Sequence, residues 1–147
     1  HTHFIMVENG KHDHGGEIQL RWNLEHELAQ RFRVPTVLLV VQGGPDTYAT
    51  VRKAIEMGER VILVRESRGA AQVISEFLEP LLPEAESLLE QANKEVLMQR
   101  IEMRELDFAA RLQRLNRRMT AEQMTQVAKD LRYIACRLDL VTILNGY

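Results

Sequence analysis

The residues best suited to chemistry are Gly43-Gly44-Pro45-Asp46-Thr47, which follow the apolar run Thr36-Val37-Leu38-Leu39-Val40-Val41 and Gln42. Two adjacent glycines let a backbone approach a ligand with no side chain in the way. Proline suits the first turn of a helix, and Asp46 to Ile55 reads as that helix. A strand, a glycine turn and a helix N-terminus together let backbone N–H groups converge on an anion. The chemistry this implies is recognition of a phosphorylated small molecule. The same residues also suit a plain strand-to-helix turn, so spacing alone leaves both readings open.

Arginines stand where they could strengthen such a site. Arg21 sits one turn into a helix that begins near Glu17, while Arg65 and Arg68 lie in a loop after a second apolar run. The ordinary alternative is a solvated helix arginine for Arg21 and a surface pairing with Glu66 for the other two. His1 and His3 alternate on one stretch, and His12 and His14 flank Asp13 in a glycine-rich loop. With no tight helical histidine pair and no cysteine near them, no structural metal is expected. Ser67 has no His–acid set nearby in sequence and is not read as a nucleophile. Cys136 is expected to face a helix core as a small hydrophobe.

These residues need a scaffold, and the chain supplies one by alternation. Residues 3–7 form a strand candidate and 8–16 a polar, glycine-rich loop. From Glu17 the pattern is helical, with Ile18, Trp22, Leu24, Leu28 and Phe32 expected on one covered face until Pro35 closes the helix. Residues 36–41 show no polarity alternation, which predicts a strand buried on both faces. A helix over 46–57 follows, with Gly58 at its C′ position. Arg60–Val64 is another strand and residues 65–69 its exit loop; a helix runs from Ala70 to Leu78 until Pro80 and Pro83 break it. Crossovers of this length predict an α/β fold with a parallel sheet, which puts loops 8–16, 42–47 and 65–69 on one ligand-binding edge. After Pro83 the chain reads as helical. Residues 84–103 are amphipathic, Thr120-Ala121-Glu122-Gln123 matches a capping box, and Arg137 to Leu144 is an apolar tail expected to lead into further helices.

Composition narrows the classes. At 147 residues, with 45% hydrophobic and 27% charged residues, the chain can build a core. A net charge of −2 and 5% aromatic residues give no case for duplex nucleic acid, an anionic membrane or a base-stacking platform. The single cysteine excludes an internal disulfide and fits a reducing, cytosolic compartment. No apolar run approaches the roughly 18 residues of a spanning helix. Phe4-Ile5-Met6-Val7 looks like a strand in mid-domain, so the chain is expected to begin partway through a larger protein.

His1-Thr2-His3-Phe4-Ile5-Met6-Val7-Glu8-Asn9-Gly10, then Glu17-Ile18-Gln19-Leu20-Arg21, then Val40-Val41-Gln42-Gly43-Gly44-Pro45-Asp46-Thr47 closely resemble, in order, the cytosolic N-terminal homology region of melastatin-subfamily transient receptor potential channels. That family shares His-Thr-His-Phe, a Glu-Ile-Pro-Leu-Arg-like block and Glu-Gly-Gly-Pro-Gly-Thr. The resemblance covers about residues 1–78, and more loosely Arg137-Leu138-Asp139-Leu140-Val141-Thr142-Ile143-Leu144. It implies a partial Rossmann-like domain over 1–82, related to the Lonely Guy and DprA proteins. Residues 83–147 would then begin the channel's cytosolic helical layer. It further implies a calcium-permeable homotetramer whose ligand here is ADP-ribose or a related nucleotide, with no cofactor. By motif position Gly43, Gly44, Pro45 and Thr47 match the phosphate-facing loop. Arg21 matches the phosphate-contacting arginine, and His14 falls where an aromatic contact occurs. Arg68 is a further ligand candidate, although Arg68-Gly69 inverts the family's Gly-Arg order and Asp46 replaces a glycine. Related hydrolases carry a catalytic glutamate where Thr50 stands, which favours binding without catalysis. The alternatives are a Lonely Guy-like nucleotide hydrolase and a purely structural interaction module.

Overall fold

The computed structural model describes residues 18–82, 95–96, 98–104, 108 and 119–145. The expected strand at 3–7 and loop at 8–16 lie outside the described residues. Residues 1–36 and 37–147 form two compact units.

In the first unit, helix α1 spans Ile18–Phe32. Trp22 is buried, as the helical period predicts, but Leu24, Leu28 and Phe32 of the same expected stripe are 39%, 44% and 66% exposed. The helix stops through its backbone. Arg33 turns left-handed at φ 53°, its N–H reaching the Gln30 carbonyl at 3.2 Å while the Val34 N–H reaches Ala29 at 3.0 Å. This paired bond pattern closes the last turn, and Pro35 prevents resumption of the helix.

The second unit contains β1 (Val37–Val41), α2 (Asp46–Glu56), β2 (Arg60–Val64), a 3₁₀ turn (Arg65–Ser67) and α3 (Gly69–Leu78). A further 3₁₀ turn at Glu79–Leu81 carries Pro80, and α4 (Ala121–Ala135), a turn at Leu138–Leu140 and β3 (Val141–Leu144) follow. Local signals set several of these ends. Gly58 (φ 77°) closes α2, its N–H on the Ile55 carbonyl and the Glu59 N–H on Ala54, each at 3.0 Å. Thr120 starts α4 with the predicted box: its hydroxyl accepts from the Gln123 N–H at 3.2 Å, and the Gln123 side chain accepts from the Thr120 N–H at 2.9 Å.

The sheet has the order β1-β2-β3 and is parallel throughout, with Val40 opposite Leu63 and Leu63 opposite Ile143. This is the expected α/β arrangement, a partial Rossmann-like sheet with flanking helices. Two expectations change. Arg137–Leu144 is not a continuous helical tail; Val141–Leu144 pairs with β2 as β3. Its β-branched residues find a free parallel edge there, and short apolar runs of this kind fit either state by sequence alone.

The second correction concerns β1, which is not buried on both faces. Val40 is buried, whereas Val37, Leu39 and Val41 are 50%, 58% and 56% exposed. Handedness explains this: successive right-handed crossovers in one direction along the sheet put the connecting helices α2, α3 and α4 on the same face. Val40, Val61, Leu63 and Val141 therefore meet the apolar sides of the helices, where Val51, Ile55, Ile74, Phe77, Leu131 and Ile134 are buried.

The rest of the core comes from nearby helical residues. Ile101 is fully buried, and the Phe108 ring meets Phe77 edge to face at 5.1 Å between centroids. Cys136, expected in the core, is exposed just past the end of α4, with its sulfur 3.9 Å from that of Met98. Its position at the C-cap carries it beyond the buried stripe of Val127, Leu131 and Ile134.

Helices α2 and α4 are joined by charge as well as packing. Arg52 donates to Asp130 at 3.0 Å and to Glu56 at 2.8 Å, and its guanidinium lies 5.1 Å from the centre of the Tyr133 ring. Hydrogen bonding to Asp130 first, then to Glu56, raises the guanidinium pKa above its ordinary value. The Asp130 side chain is 3% exposed and also accepts from Gln126 at 2.9 Å, while Arg52 remains 35% exposed. Solvent screening at Arg52 reduces the worth of the pair, so Arg52→Ala is expected to lower stability by about 1–2 kcal/mol. A double-mutant cycle with Asp130→Ala, followed by urea unfolding, tests the linkage; additive losses would show that the two side chains are not coupled.

Candidate functional site

The carboxyl ends of β1 and β2 open into loops 42–45 and 65–68, which touch as the parallel topology predicts. Backbone bonds also tie the first loop to the start of α3. The Gln42 carbonyl accepts from the Ala71 N–H at 2.8 Å and the Gly43 carbonyl from the Ala70 N–H at 3.0 Å. Helix α3 has no side-chain cap, so these carbonyls satisfy two amides of its first turn. The Ala70 and Ala71 amides are thus already used within the protein.

The same bonds have the opposite effect on the glycines. In a planar trans peptide the N–H points away from its carbonyl, and no cis bond occurs here. Because the carbonyls of Gln42 and Gly43 face α3, the N–H groups of Gly43 and Gly44 face away from it. Among the described residues neither amide has an acceptor. Left-handed φ angles make this geometry possible, 62° at Gln42 and 94° at Gly43. Gly43 rests against Thr47, whose Cγ2 and Cβ would lie 2.8 and 2.9 Å from an added Cβ. Beside Gly44 the space is open, with nothing within 4 Å of such a carbon. Pro45 then caps α2 without any side-chain bond, and the Thr47 N–H returns to the Gly44 carbonyl at 3.1 Å.

Ser67 and Gly69 hold the two loops together, and sequence reasoning missed both. The Ser67 hydroxyl donates to the Val64 carbonyl at 2.5 Å and accepts from the Gln42 N–H at 2.7 Å. Gly69 (φ 62°) allows the closest approach; an added Cβ would stand 2.5 Å from the Gly43 carbonyl oxygen. A glycine at a helix start carries no local mark of this, since its neighbour lies in another loop.

The other predicted residues divide. Gly43, Gly44, Pro45 and Thr47 are brought together. Arg21, in the first unit, has its Nε 3.6 Å from Glu25 and is half exposed. His14 lies outside the described residues. Arg65 pairs with Glu79 at 2.9 Å; the expected surface partner was Glu66. Arg68 adopts φ 71° and ψ −169°, a conformation nearly confined to glycine that costs about 1–3 kcal/mol. Its side chain lines a groove of about 460 Å³ with Arg65, Glu66, Gln72 and Glu76, whereas Gly43, Gly44, Pro45 and Thr47 are not among the lining residues. No group of three or more His, Cys, Asp or Glu side chains among the described residues could hold a metal.

Residues 1–122 match the family model described as SLOG in TRPM. The chain belongs to that family. It is 35% identical over 85 residues to the transient receptor potential cation channel subfamily M member 2 of Mus musculus, covering 52% of this chain and 6% of that protein. It is 33% identical over 85 residues to the subfamily M member-like 2 protein of Nematostella vectensis, covering 50% and 6%. With the human subfamily M member 6 it shares 32% identity over 105 residues, 66% of this chain and 5% of that protein. The matched region thus spans about a twentieth of the length of these relatives.

The Arg68-Gly69 order has a visible backbone cost. The strained φ, ψ pair falls on Arg68, while the glycine stands at 69, where an added Cβ would strike the Gly43 carbonyl. Thr50 donates its hydroxyl to the Asp46 carbonyl at 3.1 Å. No helix among the described residues is long and apolar enough to cross a membrane.

Proposed function

We propose that this SLOG domain is a cytosolic nucleotide-sensing and assembly region of a melastatin-like, calcium-permeable cation channel. ADP-ribose or a related nucleotide binds at the carboxyl edge of the sheet, and the chain works within a homotetramer. The reading rests on one observation, the Gly43 and Gly44 amides that face away from α3 with no described acceptor. Two charge-assisted bonds supply about 3–6 kcal/mol at roughly 1.5–3 each, and the α2 dipole adds about 0.3–1. Micromolar binding requires about 8 kcal/mol, so an arginine must contribute, and Arg21 is assigned that part. Asp46 opposes the anion from the first turn of α2 and lowers the affinity for the most highly charged ligands.

The site binds without catalysis, since a threonine hydroxyl given to a backbone carbonyl does not replace a carboxylate base. Ligand at Gly44 acts on the start of α2, and the Arg52–Asp130 pair carries the effect to α4. A shift in channel state then follows only to the extent that the nucleotide binds the two states differently.

Calorimetry with ADP-ribose tests the reading. Arg21→Ala is expected to weaken binding about tenfold or more, a loss of ~1.4 kcal/mol. Gly44→Ala, which fills the open space beside the loop, weakens it while leaving the fold intact. Unchanged affinity in both variants would remove the glycine loop from the site. Absence of any thermal shift across a nucleotide panel would leave an interaction module in its place.

A further inference from the structure

We propose that Ser67 is the positioning residue of the glycine loop, fixing the peptide orientation that turns the Gly43 and Gly44 amides toward ligand. Its effect on affinity rests on the nucleotide reading above; its effect on loop geometry does not. The hydroxyl gives its single proton to the Val64 carbonyl at 2.5 Å, so it has none to offer a phosphate, and it accepts from the Gln42 N–H at 2.7 Å. It does not touch ligand and acts through Gln42.

The geometry links that one bond to the binding face. Gln42 is not glycine, yet it holds φ 62°, a conformation that L side chains adopt at a cost. Pinning its N–H to Ser67 on one side and its carbonyl to the Ala71 N–H at 2.8 Å on the other compensates for that cost. The Gly43 carbonyl then meets Ala70 at 3.0 Å, and both following amides are directed away from α3. Without the Ser67 hydroxyl, the Gln42 N–H loses its acceptor and φ relaxes toward negative values. The 42–43 and 43–44 peptides then keep only their carbonyl bonds to Ala71 and Ala70, and rotation of either takes an amide off the ligand. Ser67 thus converts a bond at the end of β2 into the charge pattern of the loop after β1. The class of ligand follows from that pattern: a phosphate oxyanion that accepts from two successive amides, not a cation held by carbonyls.

The test uses the full chain in three variants. Ser67→Ala is expected to weaken ADP-ribose binding about tenfold or more by calorimetry, while Ser67→Thr, which restores a hydroxyl, stays within about threefold of the unmodified protein. Ser75→Ala is the control for stability alone: Ser75 is buried, and its hydroxyl donates to the Ala71 carbonyl at 2.7 Å, within α3. Ser75→Ala should leave affinity unchanged. Equal loss of affinity in Ser67→Ala and Ser75→Ala, or no loss in Ser67→Ala, overturns the proposal. A second readout needs no ligand. Amide hydrogen exchange at Ala70 and Ala71 should quicken at least about tenfold in Ser67→Ala relative to helix-interior amides such as Phe77. If the unmodified protein binds no ADP-ribose, the nucleotide reading fails and exchange alone decides; unchanged protection of Ala70 and Ala71 then overturns the role of Ser67.

Discussion

Gly69→Ala is expected to destabilise the protein by about 2–4 kcal/mol, the largest loss from a single added methyl group. Two causes combine. The residue holds φ 62°, where a Cβ meets its own backbone, and the new carbon would lie 2.5 Å from the Gly43 oxygen and 2.9 Å from the Gln42 carbonyl carbon. Neither obstacle is the end of a flexible side chain; both are backbone atoms fixed by bonds to Ala70 and Ala71. Relief requires the loops to separate, which breaks those bonds. Urea unfolding monitored by circular dichroism gives the difference, with Gly44→Ala as reference. That variant adds the same methyl where nothing lies within 4 Å and should shift stability by less than about 0.5 kcal/mol. Equal midpoints for the two variants would show that the loops do not meet as described.

Alkaline unfolding should depend on Tyr48. This residue of α2 is 2% exposed, and burial pushes its phenol pKa up to about 12 from an ordinary 10.0. The folded protein therefore binds this proton more tightly than the unfolded chain does. The resulting stabilisation is fully present below pH ~10 and is lost as pH rises toward ~12. Two pKa units correspond to about 2.7 kcal/mol. Tyr48→Phe should unfold with nearly the same midpoint at pH 8 and with a shallower decline across pH 10–12. Lysine and cysteine titrations affect both proteins and cancel in the difference. Parallel stability curves from pH 8 to 12 would contradict the burial of this phenol.

The elements that could be read correctly share a physical property: their determinants lie within a few residues of one another. Strand Arg60–Val64 covers the predicted stretch, and Gly58 and the Thr120–Gln123 box act through bonds spanning one turn. The co-location of loops 42–47 and 65–69 was also legible, because two parallel strands joined by a crossover leave their carboxyl ends no other arrangement. The errors concern faces and partners. Leu28 and Val41 have the spacing and composition of buried residues but are exposed, because burial depends on an element brought opposite them from elsewhere. Arg65 is near Glu66 in sequence and pairs with Glu79 through the α3 fold-back. Val141–Leu144 becomes a strand because β2 offers it an unpaired edge.

The site divides along the same line. Sequence alone determined that a glycine pair follows a strand and precedes a helix, since that much is order along the chain and the conformational freedom of glycine. It also carried the motifs that mark the SLOG family. Only the tertiary structure decided which way the peptides face. That orientation comes from Ser67, Ala70 and Ala71, which lie about 25 to 29 positions further along the chain than the Gln42 and Gly43 groups they bond. An amide's direction is set by what its neighbouring carbonyl bonds to, and that partner is supplied by the fold.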